Sequence, residues 1–91
     1  PMAFLSVNEV RDRLRIEEAY AEADLAAMVI EAEDIISDYL ELAEPYTANN
    51  VPPRVKTATL LVIRALYDAH DELLTPAVKS VLKRTRKPTV A

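Results

Sequence analysis

Apolar residues recur at helical spacing along nearly the whole chain. Val7, Val10 and Leu14 mark the first face, and Ser6 stands three residues ahead of Glu9, the spacing of a capping box. A short helix over 7–14 is predicted, with Ile16 packing just past its end and residues 15–22 forming a polar connector. A longer stripe follows: Leu25, Met28, Val29, Ala32, Ile35, Ile36, Tyr39 and Leu40. With Asp24 as N-cap and Pro45 as the stop, it predicts a helix over about 24–43. After a polar loop, Tyr46 to Val51, Pro52-Pro53 opens a third helix over about 53–71. Its stripe is Val55, Ala58, Leu61, Val62, Ala65, Leu66 and Ala69, widened by Leu60, Ile63 and Tyr67. A helix apolar around so much of its girth belongs at the centre or against another subunit. Thr75-Pro76 then reads as N-cap and first turn of a short helix over about 76–84, burying Val78, Val81 and Leu82. The expectation is an all-α bundle of two longer helices flanked by two short ones, forming one domain, 1–91, with a tail over 85–91.

Composition narrows the chemistry. Cysteine is absent, which removes disulfides, thiol catalysis and zinc-thiolate sites. Glycine is also absent, which removes glycine-dependent phosphate loops and the residue that most often closes helices. No apolar run approaches the ~20 residues of a membrane span, and no basic segment precedes an apolar stretch at the N-terminus, so neither a membrane span nor a signal peptide is expected. Charge is divided along the chain: residues 1–50 hold 12 acids and 3 bases, residues 51–91 hold 3 acids and 8 bases. Such a chain can pair with a copy of itself, or simply solvate two differently charged surfaces.

Candidate chemistry is sparse. Glu31, Asp34 and Asp38 share one helix face, but the Glu-x-x-His pairs of a di-iron bundle are missing, so a solvated acidic face is expected. The single histidine, His70, sits between Asp68 and Asp71 without a serine or cysteine nucleophile motif, and reads as a helix-end residue. Tyr20, Tyr39, Tyr46 and Tyr67 show no stacking pattern. No cofactor, metal or enzymatic activity is expected. Arg54, Lys56 and Arg64 are too few for a basic recognition helix, although the bases of Lys83–Lys87 could touch phosphate.

Taken in order, several segments resemble a known family. They are Leu5-Ser6-Val7-Asn8-Glu9-Val10 closing on Leu14-Arg15-Ile16, then Asp24-Leu25 through Ala32, Ile35, Ile36 and Tyr39. Pro53-Arg54-Val55-Lys56, Ala58, Leu60-Leu61-Val62 and Ala65-Leu66-Tyr67 come next, followed by Leu74-Thr75-Pro76-Ala77-Val78, Val81-Leu82 and Arg86. From Leu5 to Arg86 the chain resembles the head–tail connector (adaptor, or head-completion) proteins of long-tailed double-stranded DNA bacteriophages. It departs from them at His70, where an arginine is frequent, and at Arg84-Thr85, where Pro-Tyr is frequent.

The resemblance implies a helical virion subunit at the head–tail interface, assembled in the bacterial host cytoplasm into a ring beneath the portal. The ring, a dodecamer in the family, would extend the DNA channel and dock a tail-side stopper or tail-terminator protein. Genomic DNA would pass without sequence recognition. On this expectation Glu31, Asp34, Asp38 and Glu41 face either the channel lumen or a neighbouring subunit, whose Arg54, Lys56 and Arg64 would answer them. Lys83, Arg84, Arg86 and Lys87 reach the portal, and Tyr46, Asn49 and Asn50 form a second docking element. The alternative is a small helical DNA-binding or regulatory module.

Overall fold

The computed structural model describes residues 4–83, which fold into four helices and no strand. In chain order they are α1 (Val7–Leu14), α2 (Glu22–Leu40), α3 (Pro53–Tyr67) and α4 (Pro76–Leu82). The two longer helices are flanked by the two short ones, the expected all-α arrangement.

Helix starts follow local chemistry. Ser6 Oγ accepts from the Glu9 N–H at 3.1 Å and caps α1. Thr75 Oγ1 accepts from the Val78 N–H at 3.3 Å and caps α4, with Pro76 in its first turn. α3 begins at Pro53 behind Pro52. α2 begins two residues earlier than expected: Ala21 holds the cap position with no side-chain bond, and Asp24 lies inside the first turn. There its carboxylate still faces the partial positive charge of the helix start.

α1 ends at Leu14 as expected, and the other three helix ends depart from expectation. α2 stops at Leu40, well before Pro45, and α3 stops at Tyr67 rather than at residue 71. Three helices close the same way. Arg15, Glu41 and Ala69 take left-handed backbone, with φ of 54°, 55° and 58°. Behind each, the next amide reaches back five residues: Ile16 to the Arg11 carbonyl, Leu42 to Ser37 and His70 to Ala65. These are Schellman turns, usually built on glycine, made here by residues that carry a Cβ. α4 ends at Leu82, two residues short of the expected position.

α3 is the central element and packs against α1, α2 and α4. Val55, Ala58, Thr59, Leu60, Val62, Ile63 and Ala65 are all buried along it. The extra apolar width of this helix is therefore consumed inside the chain, and Leu61 is its one strongly exposed large apolar residue. α2 contributes Leu25, Val29, Ala32, Ile36 and Leu40, while Val10, Val78 and Leu82 close the core from the short helices. Each fully buried Leu, Ile or Val stabilises the fold by about 1.5–3 kcal/mol relative to exposure. Thr59, the buried polar exception, donates its hydroxyl to the Val55 carbonyl at 2.7 Å.

Candidate functional site

The charged residues divide into those already committed within the chain and those facing solvent. On α2, Glu31, Asp34 and Asp38 are exposed and form no ion pair among the described residues, and Glu41 is exposed at the helix end. Their spacing places them along the side opposite the buried line Leu25, Val29, Ala32, Ile36. The sequence reading of an exposed acidic face describes this surface well.

The three bases expected to answer those acids are not equivalent. Lys56 Nζ lies 3.4 Å from Glu9 Oε2, tying α3 to α1. Glu9 therefore reaches across to α3 with its side chain while its amide is capped by Ser6. Arg64 is more heavily engaged. Its Nε donates to Asp68 Oδ2 at 3.0 Å, its Nη1 donates to the Leu14 carbonyl at 3.2 Å, and its guanidinium stands 5.6 Å from the Tyr67 ring centre. Arg54 is exposed and makes no such contact among the described residues. It lines a shallow hollow with Ser80, Val81 and Lys83, beside a second hollow formed by Tyr39, Pro76, Lys79, Ser80 and Lys83. The start of α3 and the outer side of α4 thus gather Arg54, Lys79 and Lys83 into one basic surface.

The expected docking loop is turned partly inward. Tyr46 is half-buried against the core. Asn50 Oδ1 accepts from the Thr47 N–H at 2.7 Å and from its hydroxyl at 3.2 Å, closing the loop on itself. Asn49 stays exposed. Of the tail residues, Lys83 is exposed at the end of α4, whereas Arg84, Arg86 and Lys87 lie outside the described residues. His70 is exposed just past α3, with Nε2 3.8 Å from Asp68. No group of three or more His, Asp or Glu among the described residues could hold a metal ion. No described helix is long and apolar enough to cross a membrane.

Two polar anchors were not picked out by the sequence. Glu33 accepts the Phe4 and Leu5 amides on its two oxygens, each at 3.1 Å, and so fastens the N-terminal segment to α2. Burial pushes its carboxyl above the usual value of 4.5, and the two amide bonds pull it back part of the way. Arg11 donates to the Glu17 and Tyr20 carbonyls, both at 2.7 Å, and clamps the connector between α1 and α2. The available signal was positional: Arg11 falls on the apolar stripe of α1, at i+4 from Val7, where a charged group needs partners. Tyr20, on the same connector, meets Tyr67 edge-on at 4.9 Å between ring centres.

No family model, curated protein or solved structure matches the chain.

Proposed function

We propose that this protein is an architectural subunit, a head–tail connector that assembles as a ring beneath the portal of a DNA-filled capsid. It extends the DNA channel and docks the next tail-side protein. The reading rests first on the ordered segments through which the chain resembles that family. The observation that carries it from the structure is the separation of exposed charge. Glu31, Asp34 and Asp38, which form no ion pair among the described residues, line the outside of α2, and Arg54, Lys79 and Lys83 gather beside α3 and α4. A subunit that meets its neighbours through two different surfaces needs such a separation. The chain's net charge of -4 also suits a channel that duplex DNA must cross without adhering.

Removing the coding sequence from the viral genome that carries it tests this function. The expected result is packaged heads and finished tails that fail to join. Intact, infectious particles would refute the connector reading. The basic surface also suits phosphate, which favours the alternative of a small DNA-binding module. Duplex binding that weakens steeply with salt, together with particles that assemble normally, would establish that alternative.

A further inference from the structure

Two large apolar side chains stand well exposed among the described residues, Ile30 at 50% and Leu61 at 40%. Ile30 lies within an acidic stripe, and Leu61 lies within a mixed stripe whose net charge is basic. Around Ile30, the exposed residues Ala27, Glu31, Asp34 and Asp38 fall within about 100° of the α2 surface at 100° per residue. Around Leu61, the exposed residues Arg54, Thr57, Arg64 and Asp68 fall within about 80° of α3. Arg64 and Asp68 satisfy each other at one end of that stripe. The charge left over lies at the other end, where Arg54 borders Lys83 and Ser80 of α4.

We propose that the Ile30 stripe of one copy docks on the Leu61 stripe of the next, in a head-to-tail contact between antiparallel helices. This deepens the connector reading and rests on its premise that the chain is an assembly subunit. The direction follows from spacing. With Ile30 seated beside Leu61, Asp34 and Asp38 lie about 6 and 12 Å further along α2, at 1.5 Å per residue. Arg54 lies about 10 Å from Leu61 towards the start of α3. The acids and the bases coincide only if the two helices run in opposite directions. The parallel arrangement would set Asp34 and Asp38 beside the already satisfied Arg64–Asp68 pair. Lys56 has no place in the contact, because Glu9 holds it on the α1 side. The two apolar residues anchor the interface, and the charges set its direction.

The stripes are separate surfaces, so one copy can use both at once. A standard interface covers about 800 Å² per partner. Two such contacts would cover about a quarter of the chain's 6267 Å² of accessible surface. Repetition of a heterologous contact gives a closed ring or an open filament, never a dimer that stops by itself.

That last property supplies the test. Ile30→Asp spoils only the α2 stripe, and Leu61→Asp spoils only the α3 stripe. Sedimentation velocity is run on the wild-type chain, on each variant and on an equimolar mixture, at low and high salt. Circular dichroism checks the helix content of each variant. Ile30→Ser and Leu61→Ser repeat the test should an aspartate lower it. The wild type is expected to form species larger than a dimer, with association weakened at least about tenfold by high salt. Each variant alone is expected to be monomeric. The mixture is expected to form a one-to-one dimer and nothing larger, joined through the one intact stripe of each partner. A wild type still monomeric at about 1 mM in low salt would overturn the proposal. So would a mixture that stays monomeric while the wild type associates, since that marks a self-complementary contact. Association of this kind, in a chain whose deletion leaves particles intact, would refute the connector function and keep the contact.

Discussion

At Glu33 one carboxylate serves two successive backbone amides, so its removal strands two donors at once. Glu33→Ala should lower stability by about 1–3 kcal/mol, measured by urea unfolding. The pH dependence has a definite sign. Because the folded chain holds this proton more tightly than the unfolded chain, the stabilisation linked to it is complete below 4.5. It is lost as pH rises through the higher native value. The stability difference between wild type and Glu33→Gln should therefore fall as pH climbs upward from 4.5, and a flat difference would refute the linkage. Ala69 offers the opposite opportunity. Its φ of 58° costs an L-residue about 1–2 kcal/mol, while glycine loses about 0.5–1 kcal/mol through the freedom of the unfolded chain. Ala69→Gly should gain about 0.5–1 kcal/mol, seen as a melting temperature higher by a few degrees.

At the scale of the helix, the starts of α1, α3 and α4 and the end of α1 were readable, whereas the start of α2 and the ends of α2, α3 and α4 were not. Ser6 and Thr75-Pro76 announce α1 and α4 because a cap is a side chain and therefore appears in the sequence. The ends of α2 and α3 turn on left-handed backbone at Glu41 and Ala69, residue types that give no warning of it. Without glycine as a marker, Pro45 was the nearest visible stop for α2, and the helix had already ended at Leu40. The candidate site shows the same divide. The acidic face of α2 could be read from spacing, whereas the commitment of Lys56 to Glu9 and of Arg64 to Leu14 spans about fifty residues of chain and needed the fold. Arg11 carries an element-level prediction. A lysine ammonium cannot copy a guanidinium that serves the Glu17 and Tyr20 carbonyls together. Arg11→Lys should cost about 1–2 kcal/mol. Amide exchange in α1 should quicken while that of α3 holds nearly constant, and equal acceleration in both would show that the clamp does not act locally.

Across the whole molecule, charge and apolar surface are used on different sides of the same helices. α2 buries one line of residues against the core and presents acids on the opposite side. α3 gives most of its girth to three neighbours and keeps only a narrow outward strip. Ile63→Ala should therefore lose about 2–5 kcal/mol through the cavity it leaves. Leu61→Ala, two residues earlier, should leave the isolated chain within about 0.5 kcal/mol of wild type. Thermal unfolding of dilute samples compares the two.

The enclosure of α3 also determines how much variation the chain can absorb. In a saturation library scored only for folding, α3 should be the least permissive helix, with acceptance returning at 54, 57, 61 and 64. Position 61 should then take polar side chains as readily as Thr57 does. If the proposed connector function holds, a library scored for propagation of the particle should narrow the same position to apolar residues while position 57 stays broad. The gap between the two scores at one leucine would measure what assembly demands of this chain beyond folding.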